Sequence, residues 1–426
     1  MEVLLFKKRI FVSLKDRMHF VYSLLTQFIQ GILPIGSLMG GKIESFAKGR
    51  KNSFDLLEKA LHSNPKTFWF HAASLGEYEQ GVPVIEAIKK KHPNHKIVLT
   101  FFSPSGYKVQ KNNTLADVTS YLPLDTPKNA QRFLTIVRPE KAFFIKYEFW
   151  PNYLKELKKQ NIPTYLIAGI FRKQQWFFRP SGSWMRKTLS CFTHFFVQNN
   201  ASKELLQNIG LKNITISGDT RYDRVGAPKE PLSFMELFVG SRKCIVAGST
   251  WPEDEAVLLD AIHQTPNNWC WLIAPHEMHE EKISRLMAQL PEGSQRFTQT
   301  EVSKQNNCPV LVLDTVGLLN RCYTYGSIAY VGGGMGTSGL HNILEPAAEG
   351  IPIIIGKNYA KFPEAIDLIA NGGLHSIASS SDCSKLIQLL ISDDALRNQK
   401  GKLNRNKVTQ NQGATQKTIN VLNQIP

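Results

Sequence analysis

Tyr330-Val331-Gly332-Gly333-Gly334-Met335-Gly336-Thr337-Ser338-Gly339-Leu340-His341-Asn342-Ile343-Leu344-Glu345-Pro346 is the stretch on which the reading of this chain turns. An apolar run enters a glycine-rich turn and leaves it toward a helix. Backbone N–H groups and the positive helix end are therefore expected to converge where a phosphate could sit. The spacing does not fit G-x-x-x-x-G-K-[ST], so this is not an ATPase loop. A dinucleotide fingerprint is excluded as well, because the strand stands late in the chain and no acidic residue ends a following strand. Glu345 lies four residues after His341 and three after Asn342, which puts all three on one side of the first helical turns. A carboxylate there can accept both hydroxyls of a ribose. The alternative is that Asn342 caps the helix and Glu345 complements its dipole.

Outward from this segment the same strand, turn and helix rhythm recurs. In the second half, Cys244-Ile245-Val246-Ala247-Gly248, Trp271-Leu272-Ile273-Ala274, Val310 to Leu313, Ser327 to Val331 and Ile351 to Ile355 read as strands. In the first half the series is Phe68 to His71, Lys96 to Thr100, Lys141 to Ile145, Thr164 to Ile167, His194 to Val197 and Ile214 to Ile216. Short apolar runs alternating with amphipathic stretches predict parallel sheets with helices on both faces. A chain of 426 residues has room for two such domains, and no sequence repeat links them. The expected organisation is a helical, membrane-associating segment over 1–50, a Rossmann-like domain over 51–225, and a second one over 226–426 that includes a terminal helix. The polar stretch from Asn398 to Lys417 lacks an apolar stripe and reads as a solvated helix or tail. Two doubly wound domains of this kind place their site in a cleft, at the carboxyl ends of the strands.

Lys plus Arg number 51 against 35 for Asp plus Glu, a formal charge of +16, which implies an anionic partner. The basic residues are dispersed, as at Lys7-Lys8-Arg9, Lys89 to Lys91 and Arg172-Lys173, with no nucleic-acid-binding signature around them. Six cysteines stand far apart without a C-x-x-C pair, as reduced core residues do, and no metal-ligand spacing is present. Phe20 to Met39 is apolar but contains Gln27, Gln30 and Pro34, which makes it a poor transmembrane span. With Lys15, Arg17, Lys42 and Lys48 around it, it fits a helix lying in an anionic membrane interface, or else a helix packed on the body.

Further chemistry-bearing segments follow strands. In His71-Ala72-Ala73-Ser74-Leu75-Gly76-Glu77, Gly76 permits a tight turn and Glu77 is a candidate general base; the alternative is a helix-start acid with no chemistry. Ser103-Pro104-Ser105-Gly106 offers hydroxyls to an anion, and Lys146-Tyr147-Glu148-Phe149-Trp150-Pro151 follows the next strand. Gly248-Ser249-Thr250 and Ala274-Pro275-His276 are places to touch a donor nucleotide.

Taken in order with Tyr121-Leu122-Pro123-Leu124-Asp125, Glu148-Phe149-Trp150-Pro151-Asn152 and His341-Asn342-Ile343-Leu344-Glu345-Pro346-Ala347-Ala348, these segments resemble the successive motifs of the Kdo (3-deoxy-D-manno-octulosonic acid) transferase family from about Phe68 to Glu364. The resemblance implies a GT-B fold, CMP-Kdo as donor, a lipid A precursor as acceptor, inversion at the anomeric carbon, and no metal or other cofactor. It implies Glu77 as catalytic base and Asn342 and Glu345 as a nucleotide-binding pair. Gly248, Ser249, Pro275, His276, Gly333, Gly334 and Gly336 join the donor side, and Ser103, Ser105, Gly106 and Glu148 the acceptor or anion side. It also implies a location at the cytoplasmic face of the bacterial inner membrane, on an anionic lipid surface and without nucleic acid. The chain departs from the family pattern at His276, where an arginine is usual. The rival readings are another GT-B transferase or epimerase acting on a UDP-sugar, and a non-enzymatic basic protein that binds membrane or nucleic acid.

Overall fold

Thr67–Ala72 forms β1, and all six of its residues are buried. A strand covered on both faces must be apolar almost throughout, which is what a parallel sheet between two helix layers requires. The computed structural model describes residues 18–34, 41–299 and 308–425. Two units make up the chain: Met1–Asp223 with Gln412–Pro426, and Arg224–Asn411.

In the first unit β2 (Lys96–Phe101) and β3 (Val118–Tyr121) lie to one side of β1. To the other lie β4 (Pro139–Ile145), β5 (Thr164–Gly169), β6 (His194–Val197) and β7 (Ile214–Ile216). The order is β3-β2-β1-β4-β5-β6-β7, with every pair parallel. Successive β1 side chains go to opposite faces. Trp69 packs with Val98, Phe133, Phe144 and Tyr153, while Phe68 and Phe70 pack with Ile85, Phe143 and Tyr165. The chain leaves β1 toward β2 and returns on the far side as β4. The loops after β1 and β4 therefore open where the strand order reverses, the usual ligand position in such sheets.

The second unit repeats this plan. β8 (Lys243–Thr250) lies between β9 (Trp269–Pro275) and β12 (Gly326–Val331). β11 (Val310–Val312) and the two-residue β10 (Gln295–Arg296) extend one edge; β13 (Ile353–Gly356) and β14 (Leu374–Ile377) extend the other. All pairs are parallel, and the order reverses between β8 and β12. The expected strands are present. Sequence reading did not foresee β3, β10 and β14: β10 is the two polar residues Gln295–Arg296, and the four residues of β3 and of β14, Val-Thr-Ser-Tyr and Leu-His-Ser-Ile, are half polar and carry too little hydrophobic signal.

Residues 18–34 form a helix with an inverted amphipathic pattern. Its polar side faces the protein: Tyr22 Oη donates to Asp125 Oδ2 (2.8 Å), Ser23 Oγ to Asn152 Oδ1 (2.9 Å), and Asn129 Nδ2 to Gln30 Oε1 (3.0 Å). Phe20, Leu24, Phe28 and Ile32, spaced four apart, are exposed along with Val21, Leu25 and Ile29, Phe28 by 65%. Residues 35–40, which end the apolar stretch, and Lys15 and Arg17 lie outside the described residues, as does the side chain of Lys42. Among the described residues no helix is long and apolar enough to cross a membrane.

The C-terminal polar stretch is helical, one of the two forms expected of it, but it is docked and not simply solvated. Asp394–Asn411 is a helix whose Arg397, Gly401, Asn404 and Val408 are buried. A Cβ on Gly401 would meet Gly350 O at 1.9 Å, and Asn404 Nδ2 donates to Ile351 O (2.9 Å) and Gly373 O (2.8 Å). This helix docks through close backbone approach and an amide, which leaves no hydrophobic periodicity to read. The following helix, Ala414–Leu422, returns to the first unit. Asp223 holds its start by accepting from Gly413 N and Thr415 N, both at 2.6 Å. The terminal helix thus packs with the first sheet, although the sequence places it after the second.

Asp125 organises the loop after β4. Its carboxylate, 2% exposed, accepts from Asn152 N (3.1 Å), Tyr153 N (2.9 Å) and Tyr22 Oη, while Asn152 Nδ2 donates to Asp125 O (2.6 Å). Asp125→Ala strands these buried donors and should lower stability by on the order of 3 kcal/mol, measured by urea unfolding. A change below about 0.5 kcal/mol, the level of an ordinary surface substitution, would rule out this anchoring role.

Candidate active site

Glu77 follows β1 at the reversal point of the first sheet. Ser74 is the N-cap of the helix Leu75–Lys91 and Glu77 its third residue, the spacing of a capping box, but the Ser74 side chain makes no cap bond. The Glu77 carboxylate bends back past the N-cap, with Oε2 accepting from Ala73 N at 2.6 Å. Its residue is 9% exposed. Burial, and then the charge of Glu148, push its carboxyl up to about 7, against the pull of the Ala73 amide, the Lys146 ammonium and the Ser74 amide. A carboxylate with that affinity for protons can give or take one near neutral pH. The capping and catalytic readings of Glu77 are compatible: the cap fixes the orientation of a group that burial makes basic.

Glu148, after β4, sits in a buried network. Trp150 Nε1 donates to its Oε2 (2.7 Å), and His71 Nε2 lies 3.0 Å from the same oxygen. Thr100 Oγ1 accepts from Trp69 Nε1 (2.8 Å) and lies 2.9 Å from His71 Nδ1. His71 Nδ1 also lies 3.1 Å from Thr100 O, and Trp150 Nε1 lies 3.0 Å from His71 Nε2, so the ring bridges Thr100 and the Glu148–Trp150 pair. Placed among the anion-binding candidates by sequence, Glu148 is a buried carboxylate whose lone pairs serve ring N–H groups. Such a group repels an anion.

The other acceptor-side candidates are also placed differently from expectation. The helix Pro104–Gln110 has seven residues. A Cβ on Gly106 would meet Phe101 Cδ1 at 2.5 Å and Leu75 N at 3.1 Å, so Gly106 is a packing glycine. Ser103 N donates to Ala73 O (2.7 Å), tying this turn to the one before Glu77. The side chain of Ser105 lies outside the described residues.

In the second unit the donor-side candidates gather at the reversal between β8 and β12. Ser249 has φ +55, a left-handed backbone that non-glycine residues seldom hold. A Cβ on Gly332 would meet Ser249 O at 2.2 Å, and one on Gly356 would meet Gly334 C at 2.2 Å. Glycine is required at both places because backbones touch. Gly248 O accepts from Gly332 N (2.9 Å), and a Cβ on Gly336 would lie 3.4 Å from the Glu253 carboxylate oxygens. Pro275 ends β9, and His276 N donates to Thr250 O (2.8 Å). Trp251, His276 and His341 form a row of rings, with centroids 4.7 Å and 4.4 Å apart. Trp251 Nε1 donates to His341 Nε2 (3.1 Å), which leaves the proton of His341 on Nδ1. Burial, and then His276, push His341 down to about 4, and burial lowers His276 as well. The row is uncharged at neutral pH, so His276 does not supply the cation that an arginine would.

The glycine turn departs from the phosphate cradle expected of it. Asp254, wholly buried, accepts from Gly333 N (2.7 Å), Met335 N (3.3 Å), Trp251 N (3.0 Å) and Tyr330 Oη (2.8 Å). Its carboxylate already occupies the position that converging amides offer an anion. The helix beyond starts only at Leu344 and has six residues, too short to bring a strong dipole to the turn. Asn342 and Glu345 are together as expected: Asn342 Nδ2 donates to Glu345 Oε1 (3.0 Å), while Asn342 Oδ1 accepts from Leu344 N (3.1 Å). Burial raises the Glu345 carboxyl, and Asn342, Lys229 and Arg224 draw it down. Sequence reading missed Asp254, although Trp251-Pro252-Glu253-Asp254, a proline and acids at a helix start, was a signal; Lys146 stood in a segment singled out after a strand but was assigned no role. Among the described residues no cluster of His, Cys, Asp and Glu is arranged to hold a metal ion.

The profile of the family described as 3-deoxy-D-manno-octulosonic-acid transferase (kdotransferase) matches residues 48–224, the span of the first sheet. The 3-deoxy-D-manno-octulosonic acid transferase of Haemophilus influenzae is 26% identical over 373 residues, 84% of this chain and 87% of that protein. The protein of the same name from Bordetella pertussis is 25% identical over 407 residues, 90% of this chain and 92% of that one. Among solved structures, the UDP-GlcNAc 2-epimerase of Neisseria meningitidis bound to UDP-GlcNAc aligns at a TM-score of 0.60 and 15% identity, over 84% of this chain and 100% of that one. The likeness to that structure is one of fold, a GT-B-like pair of parallel-sheet units.

A carboxyl raised to about 7 from an unfolded value near 4.5 contributes stability that is fully present below the unfolded value and lost as pH rises through 7. Glu77→Gln keeps an acceptor for the Ala73 amide but carries no charge. Its melting temperature relative to the parent should therefore rise between pH 5 and pH 8.5. A difference that does not vary with pH would mean the carboxyl titrates at its ordinary value.

Proposed function

We propose that this chain belongs to the Kdo transferases and moves Kdo from CMP-Kdo to a lipid A precursor in lipopolysaccharide biosynthesis. The observation that carries this reading is Glu77. It matches the base of that family by motif, follows the strand at the reversal point of its sheet, and is buried where its carboxyl is pushed up to about 7. Sequence similarity to curated Kdo transferases across nearly the whole chain supports it.

In this mechanism the ionised Glu77 takes the proton from a hydroxyl of the acceptor sugar. The hydroxyl oxygen bonds to the anomeric carbon of Kdo from the face opposite CMP, the bond from that carbon to the CMP phosphate oxygen breaks, and CMP leaves with the electron pair. The Ala73 amide fixes one carboxylate oxygen, so the base needs little reorganisation. His71 and Trp150 hold Glu148, whose negative charge keeps Glu77 basic. On the donor side, Asn342 and Glu345 receive ribose hydroxyls, and Ser249, Pro275 and His276 present edges to the nucleotide. The glycine turn shapes this region through Asp254 and does not itself bind phosphate. The exposed face of helix 18–34 enters the cytoplasmic leaflet of the inner membrane, where basic residues meet anionic headgroups and the lipid acceptor resides.

Incubation with a lipid A precursor and a CMP-Kdo-generating system, followed by mass spectrometry of the lipid, should reveal Kdo addition. Turnover should rise with pH through about 7, because Glu77 must be ionised, and Glu77→Gln should lower it by ~100- to 10,000-fold while CMP binding persists. Parent-like turnover in that variant assigns the base elsewhere. Protection of the protein by UDP in place of CMP would favour a UDP-sugar enzyme of the same fold.

The membrane role has its own test. Leu24→Glu with Phe28→Glu, both on the exposed face, should abolish sedimentation with anionic vesicles and leave the melting temperature unchanged. Vesicle binding equal to the parent would remove the helix from that role.

A further inference from the structure

Lys146 and Tyr147 follow directly after β4, and the first has an unusual backbone. Lys146 has φ +67, and in the adjacent strand Ala168 has φ +51, both in the left-handed region that L-residues seldom adopt. The Lys146 kink is fixed by a hydrogen bond from Lys146 N to Ile167 O (2.9 Å), and the Ala168 kink by one from Gln198 Nε2 to Ala168 O (3.0 Å). Strain held in this way at strand ends points to a placement requirement. The result is that Lys146 Nζ stands over the Tyr147 ring at 5.2 Å from its centroid, and Arg172 Cζ, arriving from the end of β5, stands over the same ring at 5.9 Å. Two cations thereby lie within 6 Å of one aromatic ring at the carboxyl edge of the sheet. Arg172 has no carboxylate at ion-pair distance among the described residues, and Lys146 is near enough to Glu77 to act on its charge. Like charges collected on a half-exposed ring repel each other, and an oxyanion between them relieves that repulsion.

We propose that Lys146 and Arg172, with Tyr147 as their shared platform, form a subsite for a substrate oxyanion beside Glu77. The proposal rests on the functional reading above and deepens it. An acceptor that bears phosphates presents such a group close to the hydroxyl that Glu77 activates; the carboxylate of the donor sugar is the other source of the same chemistry. The subsite resolves a difficulty in the acceptor region, where Glu77 and Glu148 are both acids and an anionic substrate would otherwise be repelled. Lys146 and Arg172 offset them, and their ends, one a point charge and one a planar fork, suit a phosphate.

The test uses the full chain, Lys146→Met, Arg172→Met and the double variant. Each is melted to verify folding, and each is assayed with phosphorylated precursor, with phosphatase-treated precursor, and over a range of CMP-Kdo. Losing one charged contact should raise the KM for phosphorylated acceptor by about ten- to a hundredfold, with Lys146→Arg restoring much of it and the phosphatase-treated acceptor little affected. If the KM for CMP-Kdo rises instead, the subsite holds the donor carboxylate. Unchanged KM for both substrates, or an equal loss with the two acceptors and no change for the donor, overturns the subsite. Calorimetric titration of the phosphorylated precursor in detergent micelles reads the subsite without turnover. A parent protein that transfers no Kdo therefore sinks the functional reading, while equal micelle affinities in parent and double variant, together with an unchanged KM for CMP-Kdo, sink the subsite.

Discussion

Each sheet begins with a strand that ends near its middle, and the chemistry of the protein depends on what this does to the loops on either side. β1 is flanked by β2 and β4, and β8 by β9 and β12. Parallel neighbours need long crossovers, and these have one favoured hand. A chain that winds first one way and then the other must therefore part its connections at the reversal. Segments far apart in sequence are brought together there: residues 73–77 with 146–150 in the first unit, and 249–251 with 332–341 in the second. Neither group could form from local sequence alone.

Buried carboxylates hold these loops in shape. Asp125 collects two backbone amides and a tyrosine hydroxyl, and Asp254 collects three amides and another tyrosine hydroxyl. Glu148 binds two rings. A buried acid is costly unless its lone pairs are filled, and filling them from irregular loops converts that cost into rigidity. Filling lone pairs does not abolish the cost: burial raises the Asp125 carboxyl to about 6 despite its three donors, and burial with the charge of Glu148 raises that of Glu77 to about 7.

The Asp125 tie also links the helix 18–34 to the site. Tyr22 and Ser23 reach Asp125 and Asn152, and the same short segment carries Glu148 and Trp150. The polar face of the helix is committed to these contacts, and that commitment leaves its apolar face outward. Burial of the apolar face instead would have left the buried Asp125 carboxylate without its tyrosine donor.

The alternation of apolar runs with amphipathic stretches determined the α/β class, the two parallel sheets and nearly all their central strands, because burial on both faces demands continuous apolar sequence. Motif order determined the family resemblance and pointed to Glu77, Asn342 and Glu345. Tertiary structure decided the rest. The glycine turn reads as an anion cradle until Asp254, some eighty residues earlier in the chain, is found occupying it. Glu148 reads as a substrate contact until His71 and Trp150 are found on it. The terminal helix belongs to the first unit because Asp223 holds its start, although it follows the second in sequence. In each case the deciding partner is distant in sequence, and a hydrogen bond to a distant donor leaves no trace in local pattern or propensity.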